Sequence, residues 1–249
     1  MSIRHRLRPF DDRSPALDRF GALLGLTAGA LVTLSLTGVT PGRAGTSESV
    51  AEAVVTVFVG AVLLLALRTS GVSRRWLHPA TVLVGLAVAV TVVGVVLRLP
   101  VVAEEAAGAD SGAVPVLWIV LSALAPVVVI RRLLHHHEVT LRTVQGAVAA
   151  YLLIALAFFF AFLGVESAAG DFFGRPEPTT SFMYFSLSTL TTTGYGDLAA
   201  VSRVGRLLAT TEALVGQVFL VTFVALLVGL LAERWRDRRS AGGGDAERP

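Results

Sequence analysis

The chain has 249 residues, 54% of them hydrophobic, a mean hydropathy of +0.72 and no cysteine. That balance excludes an ordinary soluble domain, and the missing thiols exclude disulfide staples, cysteine-ligated zinc and thiol nucleophiles. The net charge of +3 and a pI near 10.1 raise the question of nucleic acid, but the 21 basic residues are all arginine. They sit in short clusters between apolar runs without interleaved aromatics, a pattern that fixes orientation in a membrane and predicts no nucleic-acid partner.

Six apolar runs have about the length a helix needs to cross a bilayer core: Phe20 to Leu36, Val50 to Leu67, Ala80 to Leu97, Val114 to Ile130, Val144 to Val165 and Val204 to Ala232. They show no alternation of period two and are rich in leucine and alanine, so they satisfy their backbones as helices rather than barrel strands. The expected class is an all-α integral membrane protein with six transmembrane helices. The first run follows a basic segment, as a signal peptide would, but it is long and lacks a clear small-x-small cleavage site. We expect it to be retained as an anchor.

Arginines cluster before the first span, between the second and third, between the fourth and fifth, and after the sixth. Those four segments share one side. The other side carries Glu104, Glu105, Asp110, Glu166, Asp171, Glu177 and Asp197, so the positive-inside bias predicts a cytoplasmic membrane protein with both termini in the cytoplasm.

Within the first four spans, the fourth reads VPVLWIVLSALAPVVVI and has no internal basic residue; Arg131 and Arg132 mark its cytoplasmic end as interfacial anchors. Pro115 and Pro126 also argue against a rigid rod. The following HHHE, His135 to Glu138, offers a proton or metal sensor in principle. Successive helical side chains diverge by about 100°, however, so a solvated linker is expected.

Between Glu166 and Arg203 lies the one long connection. Pro176 and Pro178 break any preceding helix, Thr179 to Ser181 offer capping oxygens, and FMYFSLSTLT supplies a short helix of about three turns. Too short to span, it is expected to descend into the membrane and return as extended chain through TTGYGD, which is tolerated only beside water or inside protein.

The run TTTGYGD, after a short helix and before a long apolar one, resembles the pore of potassium channels, whose filter is made of rings of backbone carbonyls. Gly194 and Gly196 adopt positive φ without a Cβ penalty, which lets successive carbonyls face one way. The resemblance covers roughly residues 144 to 236. It implies that K+, the permeant ion and only cofactor, is held by Thr192, Thr193, Gly194, Tyr195 and Gly196, with the Thr192 hydroxyl as the innermost ring and Tyr195 turned from the axis. Asp197, Tyr184 and Ser188 then support the filter and outer mouth.

In the last span, RVGRLLATTEALVGQVF resembles the inner helix of prokaryotic two-helix pores, with Gly205 and Arg206 at its start. The resemblance puts Gly216 at the hinge, Gln217, Leu220 and Val224 at the cavity, and Ala225, Gly229 and Ala232 near the cytoplasmic crossing. Helix packing is the other reading of Gly216, and both stay open at this point.

The chain departs from the family in placing Thr193 where valine or isoleucine is usual, and Ser188 where some members carry a glutamate that clasps the filter aspartate. Tyr184 is left as a donor to Asp197. Glu212, inside the inner helix, is expected to be protonated, bonded to pore-helix hydroxyls or near water, with a structural hydrogen bond as its role.

The organisation expected is a cytoplasmic segment (1–19), a four-helix region in sensor position without an arginine ladder (20–142), a pore domain (143–238) and a disordered cytoplasmic tail (239–249). The function expected is passive, potassium-selective conduction by a homotetramer in membrane lipid, without enzyme activity and without steep voltage gating. The rivals are a less selective cation channel and a non-conducting membrane subunit with a vestigial filter.

Overall fold

The computed structural model describes residues 20–37, 57–66, 81–82, 85–86, 88–89, 116–134, 141–170 and 172–243. All regular structure among the described residues is α-helical. The helices are α1 (Phe20–Thr37), α2 (Val57–Ala66), α3 (Val116–Leu134), α4 (Leu141–Ala169), α5 (Thr179–Leu190) and α6 (Arg203–Gly243). Among the described residues three stretches are long and apolar enough to cross a membrane, Phe20–Thr37, Thr143–Ala169 and Arg203–Leu226.

These contain the predicted first and fifth spans and the predicted sixth as far as Leu226, the rest of which lies within the longer α6. Of the predicted second and third, only α2 and a few helical residues between 81 and 89 are described. The fourth corresponds to the 19-residue α3. It continues through Pro126 although proline supplies no N–H, which leaves the Ser122 carbonyl without its helical donor. The N-terminal segment and the histidine run at 135–137 lie outside the described residues.

The 29-residue α4 is the hub, packing against α1, α3, α5 and α6. Its run AYLLIALAFFFAFLG is apolar on all faces, the composition of a helix surrounded by others or by lipid. Leu153, Leu156, Phe159, Phe160 and Leu163 are fully buried, and Trp118 of α3 stacks on Phe160 with ring centroids 6.2 Å apart. Whereas α1 touches both α4 and α5, α3 among these helices packs only against α4. The peripheral element nearest the short helix is therefore the first span, not the fourth.

Two local expectations are corrected. The Thr179–Ser181 hydroxyls do not cap α5, because the cap residue is Pro178 and those three residues are already helical. Proline's fixed φ presets the turn, and Ser181 instead donates to the Glu177 carboxylate at 2.9 Å. At the other end of the chain, α6 extends to Gly243, into the segment expected to be a disordered tail. A helix already this long propagates cheaply, and the glycine run at 242–244 then weakens it.

Candidate functional site

The site begins where α5 runs out. The N–H of Thr191 bonds the Leu187 carbonyl (3.1 Å) and that of Thr192 bonds Thr189 (2.9 Å); those of Thr193 and Gly194 both reach the Ser188 carbonyl (2.9 and 3.2 Å). The orphan carbonyls of the last helical turn are thus taken up by the chain that follows. A trans peptide points its carbonyl opposite to its N–H. The Thr192 and Thr193 carbonyls, which share peptide planes with the Thr193 and Gly194 N–H groups, accordingly face away from α5.

Beyond them the backbone alternates in hand. Thr192, Gly194 and Gly196 have φ of 56°, 54° and 82°, while Thr193 and Tyr195 are not in that region. A β-strand turns successive carbonyls to opposite sides, and alternation of hand cancels that reversal. Among the described residues, no backbone N–H is donated to a carbonyl between Thr192 and Gly196. The segment therefore holds a row of acceptors unclaimed by backbone donors.

Threonine at positive φ is a strained placement for a β-branched residue, worth on the order of 1–3 kcal/mol. It is held by the Thr192 N–H bond already described, by its hydroxyl donating to the Thr191 carbonyl at 2.7 Å, and by the Gln217 amide donating to that hydroxyl at 3.0 Å. The Thr193 hydroxyl lies 2.8 Å from that of Thr191, which donates to the Leu187 carbonyl at 2.8 Å. With the Thr191 proton committed, Thr193 is the donor between the two. The hydroxyl at 193 is turned back onto the end of α5.

At the outer end the Tyr184 hydroxyl donates to Asp197 at 3.2 Å, and its ring stacks on Tyr195 with centroids 6.0 Å apart. Ser188 makes no such link; its hydroxyl bonds the Phe185 carbonyl at 3.0 Å. Thr193, Tyr195, Tyr184 and Asp197 border a cleft of about 680 Å³ behind the extended segment. Two acidic residues of the same connection already have partners. Arg175 hydrogen-bonds and pairs with Glu177, holding that carboxyl below the usual range with help from Ser181, while Glu166 accepts the Phe172 N–H at 2.9 Å. Asp171 lies outside the described residues.

On the α6 side, Ser202 accepts the Gly205 N–H at 3.1 Å as the cap of the helix, and Arg206 reaches back to the Ala200 carbonyl at 3.0 Å. Glu212 is fully buried and bonded to Ser186 of α5, whose hydroxyl also lies 2.9 Å from the Ala155 carbonyl of α4. One serine thereby joins three helices. Gly216 resolves toward packing: a Cβ there would stand 2.5 Å from the Leu190 carbonyl oxygen. Tyr151 donates to that same carbonyl at 3.0 Å. The predicted cavity and crossing residues Leu220, Val224, Ala225, Gly229 and Ala232 are all exposed in the single chain.

Sequence reasoning did not single out Tyr151, Ser186, Thr191 or Ser202. Serine before an apolar run is a recognisable capping signal, and the Thr191 hydroxyl bonds residues two to four positions away, but Tyr151 and Ser186 act across elements and leave no local pattern.

Residues 147–233 match the model of a protein family described as Ion channel. The match runs from α4 through α5 and the extended segment into α6, so this part of a membrane protein is of channel type, and non-enzymatic. No curated protein and no solved structure matches the chain.

Proposed function

We propose that the protein is a homotetrameric, potassium-selective channel of the cytoplasmic membrane, with both termini in the cytoplasm, conducting passively through the carbonyls of Thr192, Thr193, Gly194 and Tyr195. Residues 143–238 form the pore domain in this reading, and the preceding spans a scaffold. The observation that carries it is the alternating backbone at 192–196, with the N–H groups of Thr192, Thr193 and Gly194 drawn to α5 and, among the described residues, its carbonyls unclaimed by backbone donors. Oxygens so arranged replace the hydration shell of a dehydrated cation when copies surround an axis.

One chain supplies one wall of such a site, so closure takes several chains. Tyr195 is 71% exposed, and only 11% of the apolar window of α6 is buried in the single chain. Leu214, Val218 and Val221 stand bare along it, surface that neighbouring copies and lipid cover. The Thr193 hydroxyl, turned back onto Thr191, adds no oxygen to a lining of backbone carbonyls and the Thr192 hydroxyl, which favours potassium selectivity. The test is the reversal potential of purified protein in bilayers under mixed potassium and sodium. A value near the potassium equilibrium potential supports the reading; a value near zero in a bi-ionic gradient indicates a less selective cation channel, and no tetramer with no flux a vestigial subunit.

Two expected results follow from the site. Asp197→Asn should lower inward conductance chiefly at low ionic strength, because four carboxylates at the mouth concentrate cations over a Debye length that falls to about 10 Å at 0.1 M salt. Tyr184→Phe removes the 3.2 Å hydrogen bond but keeps the charge, so its effect should not depend on salt. Equal conductance of Asp197→Asn and wild type at low salt would remove the mouth ring from the mechanism.

Open probability should depend only weakly on voltage. Steep gating moves roughly three to four charges per subunit at about 2.3 kcal/mol per charge per 100 mV. The basic residues of α3 are Arg131 and Arg132, both in its last turn, and α3 packs on α4 rather than on α5 or α6. A steep sigmoid in a planar bilayer with symmetric potassium would show that the peripheral spans carry sensing charges.

A further inference from the structure

We propose that Gln217 is a positioning residue for the innermost cation site, setting how tightly that site binds an ion arriving from the cytoplasm; the inference rests on the channel reading above. Three observations converge. The Gln217 amide reaches the Thr192 hydroxyl at 3.0 Å, and that hydroxyl reaches the Thr191 carbonyl at 2.7 Å. A hydroxyl has one proton, committed here to a carbonyl, so the group facing its lone pair must be a donor. The amide NH2 is therefore turned to Thr192, and Gln217 fixes which lone pair of that oxygen remains for a cation.

Thr192 is also the one described residue other than glycine with positive φ. A strained residue keeps its conformation only where its surroundings over-determine it. Of the contacts that do so here, the Gln217 bond is the only side-chain hydrogen bond that comes from another helix. It is anchored firmly, because Gly216 beside it lies against the Leu190 carbonyl. Two consecutive residues of α6 thus grip the end of the pore helix and the base of the filter, and any shift of α6 at this level is read by the Thr192 hydroxyl.

The test uses the full-length protein reconstituted in planar bilayers and barium, a divalent cation of potassium's size, applied from the cytoplasmic side. Gln217→Met keeps the side chain's length and loses the donor; Gln217→Asn keeps the amide but falls a methylene short. Both should raise the half-blocking barium concentration about tenfold, the consequence of losing one oriented hydrogen bond in each subunit. A purely structural contribution would lower the number of conducting channels without moving the half-blocking concentration. Unchanged half-block in both variants, with potassium current present in wild type and variants, overturns the inference. No potassium current from assembled wild-type protein overturns instead the channel reading on which it rests.

Discussion

Gly194→Ala is expected to abolish potassium flux while the protein still assembles. Gly194 has φ of 54°, and no atom lies within 4 Å of a Cβ built there. Within its own chain the added methyl meets no described neighbour, so the intrachain effect is the backbone's. Alanine in the left-handed region costs about 1–2 kcal/mol. It escapes by taking negative φ, which rotates the flanking peptides and breaks the alternation shared by Thr192, Gly194 and Gly196. The Gly194 N–H then leaves the Ser188 carbonyl it bonds at 3.2 Å, and the Thr193 carbonyl, opposite that N–H, swings off its row. Size-exclusion chromatography in detergent should give the wild-type profile, and a liposome flux assay should give none of the wild-type signal. Wild-type flux from a well-assembled variant would mean that the carbonyls at 192–195 do not carry the ion.

The parts of this architecture legible in the sequence are those written in residues close along the chain. Length and apolarity mark α1, α4 and α6; Pro176 and Pro178 isolate a helix too short to span; two glycines two positions apart announce an extended segment with positive φ. Thr192 shows where that reasoning stops. Its residue type argues against the left-handed region, and its conformation is imposed by Gln217, 25 positions away, and by the turn closing α5. Glu212 was recognisable as a buried acid in need of a partner, but Ser186 could be identified as that partner only once α5 lay against α6. Glu177 counts in the sequence as one more acid of the outer side, and its pairing with Arg175 is visible only in the folded loop. At the tail, glycine content reports local preference, while the described helix α6 continues through the first residues of that segment to Gly243.

Gly216 was equally readable as a hinge or as a packing residue, and the structure makes the two separable by experiment. A Cβ at this position would stand 2.5 Å from the Leu190 carbonyl oxygen and 2.8 Å from Leu190 Cδ1. The side-chain end can rotate away, but the carbonyl cannot, because it belongs to the last residue of α5 and accepts the Tyr151 hydroxyl at 3.0 Å. Gly216→Ala must therefore push α6 from α5, at a cost typical of overpacking, about 1–3 kcal/mol in each chain. The displacement pulls Gln217 from Thr192 and loosens Glu212 from Ser186. We expect a thermal midpoint several degrees below wild type together with a large loss of flux. Gly25→Ala in α1 is the internal control: among the described residues of the chain no atom lies within 4 Å of its Cβ, and alanine is the better helix former by about 1 kcal/mol, so stability should hold or rise. A hinge predicts the reverse for Gly216, with the stiffer helix leaving the thermal midpoint unchanged and altering only how often the channel opens. Thermal unfolding in detergent and open probability in bilayers, measured on the same preparations, decide between them, and an unchanged midpoint in Gly216→Ala would return this residue to the hinge.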